Sequence, residues 1–312
     1  MKNQADTNRI HYKVALFVGS DIFSQLLMNL VVPKLTEEGF QPYIFLTKHK
    51  AGKSLHPEIR HLEFFERNLL PLIIYPFLDE HPVHNNSKCL SPKLLSQKYN
   101  VTVMSIDNVN DPNFIQEMRC LNITTGIIIR SYQKFGQEII TFFENNSTPM
   151  LWNLHPGILP FYRGVMTFFR SMANQEKEIG LSLHVVDSGW DSGPIIDIIK
   201  TPLNLSDDML TNYCNTSVLG VEIITKNLIK LRDQNEVQGY QQNSNTKRYY
   251  SFPNNSEIED FKKKGNVLVN EEQIKRSILE NFSLAKTNHW NMLSEAIDNA
   301  IKKVLHKKSP SY

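Results

Sequence analysis

The sequence predicts an α/β protein in which a Rossmann-like, open, mostly parallel sheet is followed by a smaller, mainly helical C-terminal region. Three observations predict it. From residue 13 onward, short apolar β-branched runs alternate with segments of helical spacing, the grammar of β-α-β units. Residues 125–129, Thr-Gly-Ile-Ile-Ile, offer no polar face and suit a strand buried on both sides. Beyond residue 205 the strand-like runs give way to amphipathic helical patterns. The chain is therefore divided into a main domain at 1–205, carrying an inserted helical and loop segment at 47–97, and a helical region at 206–312.

Residues 13–18 read as a strand ended by Gly19-Ser-Asp21, residues 22–35 as a helix interrupted at Pro33, and residues 41–46 as a second strand. Gly19 alone does not make a Gly-x-Gly-x-x-Gly fingerprint, so no dinucleotide site is expected there. The 47–97 segment holds His49, His56, His61, His81 and His84 around an apolar stretch at 62–78. Their irregular spacing, with no acidic or cysteine ligands beside them, describes solvated histidines and not a metal centre. The segment reads as an excursion between strands, placed to roof a site.

Strands follow at 99–104, 125–129 and 150–152, with a helix at 113–120 and an apolar segment at 139–143. Two consecutive central strands then end in polar loops, and in open α/β sheets ligands lie at such carboxyl ends. Residues 164–173 read as a helix whose Met166, Phe169 and Met172 serve packing. A strand at 179–186, a glycine-punctuated loop at 187–194 and a strand at 195–199 complete the sheet. Ser206-Asp-Asp208 starts a helical stretch at 209–232 broken at Gly220, residues 248–253 look hairpin-like, and Asn270 caps the first of two final helices.

Composition narrows the class. Hydrophobic residues at 41% and charged residues at 21% describe an ordinary globular chain. The balance of 34 basic against 32 acidic residues provides no global field for a polyanion. Cys89, Cys120 and Cys214 are odd in number and widely spaced, which fits a reducing cytoplasm and neither a disulfide framework nor zinc. The polar opening residues and the lack of any long apolar run lead to the expectation of a soluble, cytoplasmic protein without membrane contact.

The chemistry gathers at Leu151-Trp-Asn-Leu-His-Pro-Gly-Ile-Leu-Pro160 and at Asp191-Ser-Gly-Pro-Ile195. Asn153, His155 and Asp191 supply an amide, an imidazole and a carboxylate from adjacent loops of one sheet edge. Acyl transfer to an amine needs donors aimed at a developing oxyanion and a group that manages the shed proton. No Gly-x-Ser-x-Gly elbow is present and Ser192 has no neighbouring histidine, so direct transfer is the simpler chemistry. In an arbitrary α/β protein, the same three residues can equally serve as turn and cap groups.

The segment Asn153-Leu-His-Pro-Gly-Ile-Leu-Pro-Phe-Tyr-Arg-Gly164, followed by Asp187-Ser-Gly-Trp-Asp191-Ser-Gly-Pro-Ile-Ile196, closely resembles the formyltransferase family that uses N10-formyltetrahydrofolate. The resemblance covers roughly residues 12–205 in layout and implies the formyltransferase fold, with 1–205 as its catalytic domain. It assigns catalysis to Asn153, His155 and Asp191, and the folate donor to Tyr132, Gln133, Lys134, Phe135 and Gly136 together with Asp187 and Trp190, largely through backbone groups. No metal is implied. Arg163 is read as a turn-holding residue. Members that act on tRNA carry a basic C-terminal barrel, whereas 206–312 reads as helices, which argues against tRNA. The expected acceptor is an amine or hydroxylamine of a small metabolite, such as a nucleotide-linked amino-sugar or hydroxyornithine. A formyltetrahydrofolate hydrolase, a methionyl-tRNA formyltransferase and a non-catalytic folate-binding protein stand as alternatives, and a homodimer is left open.

Overall fold

The computed structural model describes residues 12–48, 56–82, 87–144, 150–243 and 248–305. His49 and His84 lie outside them.

Strand β1 (Tyr12–Gly19) leads into helix α1 (Ile22–Glu37), opened by Asp21, whose carboxylate accepts the Ser24 N–H at 3.0 Å. The helix continues through Pro33 instead of breaking there. Most of its side chains are buried, and that packing outweighs the roughly 3 kcal/mol penalty of an interior proline. Strand β2 (Phe40–Thr47) pairs with β1 in parallel.

The inserted segment is helical: α2 (Pro57–Glu63), two π-helical turns at Phe64–Asn68 and Leu70–Ile74, and α3 (Tyr75–Glu80). Pro71 and Pro76 offer no N–H, and nearby amides reach five residues back, Leu69 to Phe64 and Tyr75 to Leu70. Its apolar side, including Ile59, Leu62, Phe65, Leu70 and Ile74, belongs to the main core. The described histidines have local tasks. His56 caps α2, His61 meets Glu271 at 2.9 Å, and His81 stacks on Phe77. Among the described residues no group of three or more His, Cys, Asp or Glu is arranged for a metal.

Helix α4 (Pro92–Tyr99) ends at left-handed Asn100, so Tyr99 closes a helix and β3 (Thr102–Ile106) starts later than its apolar pattern suggests. Helix α5 (Pro112–Cys120) is followed by β4 (Thr125–Ile129), buried at every position, then α6 (Gln137–Glu144). Strand β5 (Leu151–His155) runs three residues past the expected end, so Asn153 and His155 stand on the strand and not in a loop beyond it.

A two-residue strand β6 (Arg163–Gly164) and helix α7 (Thr167–Ala173) follow, then β7 (Glu178–Val185) and β8 (Ile195–Pro202). The helix expected from residue 164 starts at 167 because Gly164 adopts a φ of +94° and pairs as strand. The order of the seven-stranded sheet is β3-β2-β1-β4-β5-β7-β8, parallel from β3 to β5 and antiparallel at β7 and β8. The order in which successive strands are added reverses between β1 and β4, the switch point beside which a crevice opens.

Helix α8 (Met209–Asn215) is capped by Asp208, and α9 (Ser217–Gln234) follows directly. The break falls at Thr216 and not at Gly220. A Cβ on Gly220 would lie 2.9 Å from Leu27 Cδ2, so this glycine lets α9 approach α1. Strand β9 (Tyr249–Tyr250) forms no hairpin; it pairs in parallel with β6. Helices α10 (Asn255–Lys263), α11 (Glu271–Phe282) and α12 (Asn288–Leu305) complete the chain. Phe261 stacks on Phe169, and Ile224, Ile278 and Ile297 join the buried cluster that contains Leu16 and Trp152. Residues beyond 205 thus share the core under one face of the sheet. A second cluster around Phe17, Phe45 and Phe143 fills the other face. Among the described residues, no helix is long and apolar enough to cross a membrane.

Candidate active site

A cavity of about 790 Å³ opens at the carboxyl ends of β4 and β5 and takes in Asn153, His155 and Asp191. His155, buried on the last residue of β5, points its Nε2 at the Tyr162 carbonyl (2.6 Å) and its Nδ1 at Asp191 Oδ1 (3.4 Å). Both nitrogens therefore face acceptors. Burial disfavours the imidazolium, yet the charge and hydrogen bond of Asp191 together with the Tyr162 carbonyl more than offset it, and His155 titrates above the ordinary histidine value. For Asp191 burial acts upward, but His155 and His184 hold the carboxyl well below the usual carboxylate range. Asp191 Oδ2 also accepts the Gly164 N–H at 2.8 Å.

Two glycines and one amide set this geometry. A Cβ at Gly157 would lie 2.7 Å from the Tyr162 carbonyl oxygen and 2.9 Å from His155 Nε2, so the turn closes on His155 only without a side chain. At Gly164, with φ +94°, a Cβ would fall 2.1 Å from the Tyr250 carbonyl oxygen. Gln242 Nε2 donates to the carbonyls of Asp191 (2.9 Å) and Gly193 (2.8 Å), which holds Asp191 in its left-handed conformation at φ +48°.

Sequence reasoning passed over His184. The register of β5 with β7 sets it directly opposite Asn153, where its Nε2 lies 3.0 Å from Asn153 Nδ2 and 3.7 Å from Asp191 Oδ1. Its Nδ1 lies 2.8 Å from the Val185 carbonyl, which places an N–H there, and its Nε2 faces the Asn153 amide. A β-bulge between Leu183 and His184 marks the position. The one legible signal was a histidine in the mostly apolar second half of its strand.

The loop residues expected to seat a donor are partly brought together. Tyr132, Gln133, Lys134, Phe135, Asp187 and Trp190 line the cavity, whereas Gly136 does not appear in its lining. Gly136 donates its N–H to Asn110 Oδ1 at 2.6 Å. Several of these side chains brace the loops. Gln133 Oε1 accepts from Val109 N (2.9 Å), Asp187 Oδ1 accepts from Ser192 Oγ (2.7 Å), and Phe135 packs edge-on against Phe17. Lys134 stands over the half-exposed Trp190 ring at 5.6 Å, and Arg163 donates to the Trp190 carbonyl. The walls between are chiefly apolar, with polar groups gathered at Asn153, His155, His184 and Asp191 and again at Glu63, Glu66, Arg67 and Arg130.

With this geometry in hand, likeness to known proteins is decisive. Residues 93–226, the stretch that holds every candidate named above, match the family described as formyl transferase. The chain carries a formyl transferase family domain. Among its relatives, the methionyl-tRNA formyltransferase of Halothermothrix orenii is 28% identical over 136 residues, 44% of this chain and 42% of that protein. The methionyl-tRNA formyltransferase of Caldanaerobacter subterraneus is 31% identical over 143 residues, 45% of each chain. The match thus spans less than half the length of these relatives. Two solved structures share the formyl transferase fold. An N-formyltransferase from Helicobacter canadensis, in complex with folinic acid and dTDP-3-aminofucose, has a TM-score of 0.50 at 18% identity, covering 77% of this chain and 71% of that one. A phosphoribosylglycinamide formyltransferase from Anaplasma phagocytophilum has a TM-score of 0.52 at 12% identity, covering 77% of this chain and 100% of that one.

Proposed function

We propose that this chain transfers the formyl group of N10-formyltetrahydrofolate to a primary amine or hydroxylamine of a small metabolite. The observation that carries the reading is the convergence of Asn153, His155 and Asp191 on one cavity inside a formyl transferase domain. That cavity, with apolar walls, an indole at its rim and two loops braced by their own side chains, suits a heteroaromatic donor held largely by backbone groups of 132–135 and 187–190. When bound, the donor would supply the reactive formyl carbonyl; addition of the acceptor nitrogen to its carbon would give a tetrahedral oxyanion, whose collapse would break the bond to N10 as N10 takes up the proton that the acceptor nitrogen sheds.

Asn153 has one amide N–H on His184 and directs the other at the developing oxyanion. His155 acts through its charge, because its Nε2–H is already aimed at the Tyr162 carbonyl. Asp191, whose carboxyl sits far below the ordinary range, is a weak base. Its part is to favour the His155 imidazolium and orient the ring, more than to be the final resting place of the acceptor's proton.

The methionyl-tRNA formyltransferases among the relatives favour a tRNA acceptor as the second reading. Against it, residues 206–305 form helices that share the core of the sheet, with Tyr249–Tyr250 as the one strand among the described residues there. The test is to mix purified protein, formyl donor and a panel of amines, including nucleotide-linked amino-sugars, diamino acids and initiator methionyl-tRNA, and follow tetrahydrofolate release. Release that requires a small amine supports the reading. Rapid release with no amine makes the protein a hydrolase, and release with tRNA alone overturns the small acceptor.

A further inference from the structure

The carboxylate beside His155 is held by a side chain from much later in the chain. The family match ends at residue 226, and after α9 the chain returns to the start of β8. There Tyr240 and Ile195 exchange both backbone hydrogen bonds, at 2.8 and 2.9 Å, as an isolated antiparallel bridge. Gly239 permits the approach, since a Cβ on it would lie 2.9 Å from Pro194 Cβ. Continuing that register by two residues sets Gln242 across from Gly193. The Gln242 side chain is buried, and its Nε2 donates to the Asp191 carbonyl at 2.9 Å and to the Gly193 carbonyl at 2.8 Å. Its Oε1 has no hydrogen-bond partner among the described residues. A reversed amide would set that oxygen against two carbonyl oxygens, so the donors alone hold the group in place.

Asp191 needs such a hold. It stands at φ +48°, in the left-handed region that an aspartate enters when its own side chain bonds the nearby backbone. Here the carboxylate is committed elsewhere: Oδ1 faces His155 Nδ1 at 3.4 Å, and Oδ2 accepts the Gly164 N–H at 2.8 Å. The stabilising bonds to the turn come instead from Gln242. We infer that Gln242 is a positioning residue of the active site: by fixing the Asp191 backbone it keeps the Asp191 carboxylate on His155, and so sets the rate of the chemical step. Its effect on rate rests on the formyl-transfer reading; the hold on His155 does not. Among the described residues, the ionisable side chains that face the His155 ring are Asp191, His184, with its ring centre 6.4 Å away, and Arg163. Of these only Asp191 favours the imidazolium, so a carboxylate that swings away changes His155 in one direction.

The experiment follows the His155 ring by NMR through a pH titration of the full chain, labelled at histidine, with tetrahydrofolate release measured on the same proteins. Gln242→Met keeps the length of the side chain and removes its donors. In that variant His155 should titrate at least about one pH unit lower than in the wild type, and kcat should fall at least about tenfold with KM for donor and amine within about twofold. Tyr240→Pro removes a docking N–H at an exposed position and leaves Gln242 itself intact, so it should move both readouts the same way. Where Gln242→Met does not fold, Tyr240→Pro takes its place. Gln241→Met, at an exposed neighbour, should change neither readout. A His155 titration that stays at its wild-type position, or one that falls while kcat is unchanged, would overturn the positioning role. A titration that falls in a chain releasing no tetrahydrofolate with any amine leaves the hold on His155 standing and removes formyl transfer.

Discussion

The two ends of the cavity are built in opposite ways. At one end Asn153 and His155 lie two residues apart on β5, and Asp191 returns through a glycine-bearing loop after the next strand. At the other, Glu63 and Arg67, Arg130 and Tyr213 come from three stretches that share no local pattern. The first end is a motif, and in the proposed reaction its residue types answer to chemistry at one carbon atom. The second is an assembly, and its residues are free to vary with whatever it holds. The contrast teaches that a motif is written locally whereas the far end of the cavity is written in tertiary contacts.

The largest expected effect falls on the first end. Asp191→Asn removes the charge that favours the His155 imidazolium and should lower kcat by roughly a thousandfold or more, with donor binding preserved by calorimetry. A variant with normal turnover would show that the carboxylate is only a loop-holding group. His155→Ala should fall comparably, because both residues act as one unit.

The same pair makes stability depend on pH in a defined window. Asp191 is depressed, so its contribution is full above the ordinary aspartate value of about 4 and fades as pH falls below it. His155 is raised, so its contribution is full below the ordinary value of about 6.5 and is lost as pH climbs through its folded value. Thermal midpoints recorded from pH 3 to pH 9 should therefore form a plateau between these limits, and Asp191→Asn should flatten both shoulders. Unchanged shoulders in the variant would mean that other groups set the profile.

A smaller effect tests the residue that joins Asn153 to Asp191. His184→Phe deletes the acceptor of the Asn153 amide and should lower kcat about tenfold with little change in KM, since the amide is then no longer aimed. An equal rise in KM would point to a binding role instead. Smallest in activity, yet visible in folding, is Gly164→Ala. A side chain there requires φ to leave +94° or the Tyr250 carbonyl to retreat, with a loss of about 1–3 kcal/mol in denaturant unfolding. The β6–β9 pairing would be the casualty.

The sequence alone determined the sheet and the motif. Alternating apolar runs located the strands because burial on both faces demands β-branched residues, and the Asn-x-His and Asp elements stood out through their resemblance to the formyltransferase family. Tertiary structure decided what periodicity cannot encode. Pro33 failed to break α1 because packing on both sides outweighed one lost hydrogen bond, and Gly220 proved to be a contact point between α1 and α9. His184 became part of the site only when β7 turned antiparallel to β5 and set it across from Asn153. Arg130, Glu66 and Tyr213 met only because the first π-helical turn, β4 and α8 share one core. Local chemistry is legible in a chain because neighbours in sequence remain neighbours in space. A pocket gathered from distant segments exists only once the core has closed around it.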